Sequence, residues 1–129
     1  MTSPEIPRPT AAELAILRVL WDRGPSTVRD VHDALHAERE TGYTTVLKLM
    51  QIMTEKGLLT RDASRRSHVF VPALDRSLTE GRLLGDLRDK AFGGSTSRLV
   101  LRALSEEAAT PEELAQIEAL LRRLEEKDA

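Results

Sequence analysis

A mainly α fold carrying one small β-hairpin is what this sequence predicts, and three observations predict it. Aromatic residues make up only 3% of the 129-residue chain. A core must then come from Leu, Val, Ile, Ala and Met, which helices accommodate well. Apolar residues recur at helical spacing in six segments, each bounded by glycine, proline or a hydroxyl cap. Between the third and fourth segments stand two short β-prone pieces, LLTRD and SHVFVP, separated by the small, polar and basic ASRR.

The first helix is predicted to start at Thr10. Thr10 and Glu13 have capping-box spacing, in which the hydroxyl takes the N3 amide and the Glu returns to the cap amide. Leu14, Leu17, Leu20 and Trp21 follow at helical spacing, and Gly24-Pro25 ends the run. Ser26 or Thr27 caps a second helix over about 27–39, with Val28, Val31 and Leu35 as its buried stripe. Gly42 breaks the chain. The third helix covers about 44–56, turning Val46, Leu49, Met50 and Met53 inward and stopping at Gly57. The hairpin is expected over 58–62 and 67–71, ended by Pro72. Helix resumes after Asp75 with Leu78, Leu83, Leu84 and Leu87, breaks at Phe92-Gly93-Gly94, and resumes again from Ser95 or Thr96 to about 106. Thr110-Pro111-Glu112-Glu113 opens the last helix with a second capping box and Pro at the first helical position.

Two helices joined by a brief break, the second opening on polar residues, form a helix-turn-helix; a hairpin directly after it is a wing. The expected organisation is therefore a flexible leader over 1–9, a winged helix-turn-helix domain over 10–73 and a helical domain over 74–129. The last domain is small for an independent core, and Leu99 to Leu104 is apolar on more than one face. Such a helix wants partners on both sides, and a second copy of the chain supplies them with twofold symmetry. Leu84, Leu87, Leu99, Val100, Leu104, Ile117, Leu120 and Leu121 are the residues expected at that dimer contact.

Composition narrows the function. Charged residues are 31% and hydrophobic ones 40%, a globular balance. The absence of cysteine excludes disulfides, thiolate metal sites and a cysteine nucleophile, and fits a reducing compartment. No apolar run approaches the roughly 18–20 residues that span a bilayer. MTSPEIPRPTAAE lacks the basic and apolar regions of a signal peptide, so a cytoplasmic protein without membrane insertion is expected. Gly-rich phosphate loops, HExxH and GxSxG are missing, so neither an enzyme nor a cofactor is expected. His32 and His36 have the i, i+4 spacing of a metal-binding pair, but no further ligands stand nearby and no metal is expected.

Net charge is −2, yet its distribution is uneven. Residues 41–72 hold five cations and two anions, net +3, whereas 73–129 hold nine cations and twelve anions, net −3. A local basic stripe governs phosphate binding more than the whole-chain sum does. The third helix opens on Tyr43-Thr44-Thr45 and carries Lys48 one turn on, with Gln51 a turn beyond. Short hydroxyl side chains let a backbone approach the major groove and still donate hydrogen bonds, and a threonine methyl can touch a thymine methyl. The plainer reading makes Thr44-Thr45 a helix cap beside a solvated lysine. Arg65 and Arg66 at the hairpin tip are expected to hold the DNA backbone or minor groove. Arg29 has two readings, a phosphate contact or an intrahelical pair with Asp33.

With those residues in view, the chain resembles the penicillinase-repressor family of bacterial transcription factors, the BlaI/MecI type. The matching stretches are AELAILRVLWDRGPSTVRDVHDAL, GYTTVLKLMQIMTEKGLL and SRRSHVFVP, in that order along the chain. The resemblance implies a homodimeric repressor that binds a short palindromic operator in double-stranded DNA, with Tyr43, Thr44, Thr45 and Lys48 at the recognition-helix contacts and Arg65 and Arg66 at the wing. It also implies a membrane sensor with a zinc metalloprotease domain as a further partner. Two departures stand against full correspondence. Ile52 occupies a position where many members carry Arg, and the Asn-Phe cleavage bond of the staphylococcal type has no counterpart near Arg102-Ala103. The alternative function is a winged helix used for protein–protein assembly without sequence-specific DNA binding.

Overall fold

The computed structural model describes residues 7–64, 68–106 and 109–128. Its elements run α1 (Ala11–Arg23), α2 (Val28–His36), α3 (Tyr43–Lys56), β1 (Leu59–Asp62), β2 (Val69–Pro72), α4 (Arg76–Ala91), α5 (Thr96–Glu106) and α6 (Pro111–Asp128). The chain forms two compact units that divide in sequence within α4, the first ending at Leu84 and the second beginning at Gly85.

Local chemistry sets the helix starts. Thr10 Oγ1 accepts the Glu13 amide at 3.2 Å while Glu13 Oε1 accepts the Thr10 amide at 2.9 Å. Thr27 and Asp30 repeat the arrangement ahead of α2, both bonds at 3.1 Å, which settles the cap on Thr27 rather than Ser26. Thr110 and Glu113 repeat it before α6. Ser95 caps α5 by accepting the Arg98 amide at 3.1 Å.

Helix α2 ends at His36, three residues short of the expected limit. The amides of Glu38 and Arg39 both turn to the Leu35 carbonyl, at 3.1 and 3.0 Å. Past Leu35 come only His36, an exposed Ala37 and charged residues, so no large apolar side chain extends the helix along the core. The hairpin also shifts by a residue. Leu58 belongs to the C-terminal stop of α3, where its amide reaches the Met53 carbonyl at 2.8 Å and Gly57 takes a left-handed φ of 87°.

The core of the first unit draws on every element from α1 to β2. Ile16, Leu17 and Leu20 of α1 meet Val28, Val31 and Leu35 of α2 and Val46, Met50 and Met53 of α3, while Leu58, Leu59 and Phe70 close it from the wing side. The buried line of α1 is rotated from the expected one: Ile16 is fully buried, and Leu14 and Trp21 are only half-buried. An antiparallel ladder pairs Leu59 with Pro72 and Arg61 with Phe70. Ser26 then adds an isolated bridge to the far side of Phe70, with its amide 3.2 Å from the Phe70 carbonyl and its carbonyl 2.8 Å from the Phe70 amide. That bridge ties the wing to the loop before α2.

One ion pair fastens α1 to the end of α3. Lys56 Nζ donates to Glu13 Oε1 at 2.8 Å and Oε2 at 3.0 Å, with the Glu13 side chain 3% exposed. Glu13 thus serves both its cap and a cation far along the sequence. Burial raises its carboxyl pKa, but the bond and charge of Lys56 and the amide and hydroxyl of Thr10 outweigh that and hold it below its ordinary value.

The second unit has a different character. Helix α5 contains no buried residue, and Leu101 is 65% exposed. Along α6, Leu114, Leu120, Leu121 and Leu124 are exposed as well.

Candidate nucleic-acid interface

Helix α3 is amphipathic because its core side is filled by Val46, Met50 and Met53, all fully buried. The opposite side is polar: Thr44, Thr45, Lys48 and Gln51 are exposed, and Tyr43 is 41% exposed. The sequence left two readings for the threonines, and the structure removes one of them. The N-cap of α3 is Gly42, with no side-chain cap bond, and the first intrahelical bond runs from the Val46 amide to the Gly42 carbonyl at 3.2 Å. Thr44 and Thr45 therefore sit inside the first turn rather than capping it. The amides of Tyr43, Thr44 and Thr45 have no intrahelical acceptor, which leaves the positive end of the helix open.

Tyr43 is held by neighbours on α2. The Arg29 guanidinium lies over its ring at 5.2 Å from the centroid, and His32 meets it edge-on at 5.8 Å. His32 in turn stacks on His36 at 5.4 Å, and its Nδ1 lies 3.1 Å from Asp33 Oδ1. These contacts exclude one of the two readings of Arg29. The cation of Arg29 is directed to an aromatic face, not to Asp33, because Asp33 is occupied by His32. The histidine pair is a stacked pair with a carboxylate on one ring nitrogen, and no group of three or more metal-binding side chains exists among the described residues.

Between α2, α3 and the wing lies a crevice of about 420 Å³, lined by Thr27, Arg29, Tyr43, Gln51, Arg61 and His68 over a floor of Val28, Leu47 and Phe70. Among the described residues its lining includes no carboxylate. Among the described residues Arg29, Lys48 and Arg61 have no anionic partner, whereas Lys56, Arg76, Arg88 and Arg102 are each paired with one. Three unpaired cations around one exposed helix face concentrate positive potential where the helix dipole adds to it.

Of the residues selected from sequence, Tyr43, Gln51 and Arg29 line the crevice, while Thr44, Thr45 and Lys48 lie on the exposed face of α3. Arg65 and Arg66 lie outside the described residues. Arg61 was not selected, and the sequence left His68 as either structural or a phosphate contact. The available signal was strand alternation, since Arg61 stands directly opposite Phe70 and so shares the face of the hairpin that meets α3. Among the residues selected for a dimer contact, Leu84, Leu87, Val100, Leu104, Leu120 and Leu121 are exposed, and Leu99 and Ile117 are half-buried.

Residues 9–126 match the family described as penicillinase repressor. The transcriptional regulator BlaI of Mycobacterium tuberculosis is 32% identical over 119 residues, covering 91% of this chain and 83% of that protein. Among solved structures, the solution structure of Bacillus licheniformis BlaI in its monomeric form, in complex with the blaP half-operator, is similar with a TM-score of 0.51 at 25% identity. It covers 57% of this chain and 89% of that one. A MarR family protein from Bacillus stearothermophilus shares the fold with a TM-score of 0.51 at 21% identity, over 92% of this chain and 74% of that one. A family match over nearly the whole chain, with this close a relative and this wing, establishes that the chain belongs to the penicillinase repressor family of transcriptional regulators.

Proposed function

We propose that this protein represses transcription by occupying operator DNA, with α3 in the major groove and the wing on the adjacent backbone. One observation carries the reading: the exposed side of α3 presents Thr44, Thr45, Lys48 and Gln51 beside a helix start with no side-chain cap. Hydroxyls, an amide and a cation can read base edges, and the open amides can receive a phosphate. The likeness to the half-operator complex supports it, since that relative holds DNA with the same kind of domain.

The reading includes a homodimer on a palindrome. The exposed leucines of α5 and α6 suit a second copy of the chain, and a twofold pair places two recognition helices on half-sites about one helical turn apart. Repression then follows from blocking polymerase, in the cytoplasm where the DNA is. Proteolytic release is not part of the proposal, because the region of Arg102-Ala103 lacks the Asn-Phe bond.

The test is binding of the full chain to its own upstream region against random DNA at two salt concentrations. Tight, salt-sensitive binding with a preference for the upstream region supports the proposal. Equal binding to both duplexes, or none, favours the protein–protein alternative.

A further inference from the structure

The wing root offers a built anion site. Arg29 comes from α2 and Arg61 from β1, yet both line the same crevice, with His68 and Thr27 also in its lining. Among the described residues neither arginine has an anionic partner, and none that lines this crevice is acidic. The geometry is enforced. Phe70 is 4% exposed in the core, paired to Arg61 on one side and bridged to Ser26 on the other, so β1 cannot drift from the start of α2. Arg29 is further restrained over the Tyr43 ring. A guanidinium held over an aromatic ring and a second one carried on a fixed strand, in a crevice with no carboxylate among its described lining, suit an oxygen-rich anion, because each can donate a fork of hydrogen bonds to phosphate oxygens.

We infer that Arg29 and Arg61 together seat one phosphate of the DNA backbone, with His68 as an additional donor, so that the strand is gripped between α2 and the root of the wing. This rests on the operator reading, and it assigns Arg61 and His68 a role beside the recognition helix. The ligand is a backbone phosphodiester of duplex DNA. A free anionic metabolite would meet the same chemistry, and the experiment separates the two.

The probe is a duplex selected by the wild-type protein from a random-sequence pool. Its affinity is measured against potassium chloride for wild type, Arg29→Gln, Arg61→Gln and the double variant. Each neutralised phosphate contributes about 0.9 to the slope of log affinity against log salt. A dimer on two half-sites counts each contact twice, so one shared phosphate per protomer predicts that the double variant loses about 1.8 in all, whereas two separate contacts per protomer would lose about 3.6. A series of duplexes with one methylphosphonate each should then contain one position per half-site that weakens wild type several-fold and leaves the double variant unaffected. Thermal melting of each variant verifies that it is folded.

An unchanged slope in the double variant, a loss near that of two phosphates per protomer, or the absence of any such methylphosphonate position overturns the shared seat while leaving operator binding intact. Inorganic phosphate that competes with DNA for wild type but not for the double variant, at constant ionic strength and with no sensitive methylphosphonate position, would assign the crevice to a small anion instead and also overturn it. A pool from which wild type selects no sequence would remove the operator reading beneath it.

Discussion

Thr45 and Lys56 show how single residues divide between recognition and support. Thr45 is exposed in the first turn of α3 and bears on no core contact, so Thr45→Ala should leave stability nearly unchanged. It should reduce preference for operator over random DNA by about 1 kcal/mol, the lower end of a specific base contact. Equal losses on both duplexes in an anisotropy titration would contradict base reading. Lys56, by contrast, neutralises a carboxylate that is almost wholly buried. Lys56→Ala leaves Glu13 charged and unpaired, and should lower unfolding stability by about 2–3 kcal/mol, reduced from the fully buried case because the lysine end of the pair is partly solvated. Chemical denaturation measures it, and Glu13→Gln together with Lys56→Ala should cost less than Lys56→Ala alone.

The same residue predicts a pH effect with a defined sign. Glu13 titrates below its ordinary 4.5 when folded, so its contribution is present above that value and is lost as pH falls through the lower folded value. Asp30 is lowered too, chiefly by the Thr27 amide and then its hydroxyl, and behaves with the same sign. Stability should therefore decline as the solution is acidified below about 4.5, and the decline should be shallower in Glu13→Gln.

At the scale of elements, the recognition helix depends on a defined end. Gly57 holds φ at 87° with open space around the position a Cβ would occupy, so the cost of a side chain there is conformational rather than steric. Gly57→Ala should destabilise the protein by about 1 kcal/mol, and Gly57→Asn by less, since asparagine tolerates the left-handed region. The lowered thermal midpoint of the alanine variant checks this. The wing depends on a partner outside itself. A two-stranded hairpin is marginal alone, and the Ser26 bridge with buried Phe70 gives it a third neighbour and a hydrophobic anchor.

The whole molecule has a core in its first unit and exposed leucines along the helices of its second. Helix α5 has no fully buried residue, and α6 presents Leu120 and Leu121 at about half exposure. Apolar surface of this kind in one segment calls for a partner. Under the proposed assembly, Leu104→Asp with Leu120→Asp should convert a dimer into monomers by sedimentation equilibrium. Operator affinity should fall far more than half-operator affinity. Unaltered mass in that variant would place the dimer contact elsewhere.

What the sequence determined by itself is local or periodic. Capping boxes, glycine stops and apolar spacing act within a few residues, so Thr10-Glu13, Thr27-Asp30, Thr110-Glu113 and Gly57 carry their structural roles in their neighbours. The order of helices and wing, and the face of α3 that carries Thr44, Thr45 and Lys48, were legible on the same basis. Tertiary structure decided what depends on distant partners. It brought Lys56 to Glu13 across 43 residues, laid Arg29 on Tyr43, and set Arg61 and Arg29 in one crevice through the Ser26–Phe70 bridge. No spacing rule reports such meetings, because they arise where separate elements pack and the charge of one residue is answered, or left unanswered, by another far along the chain.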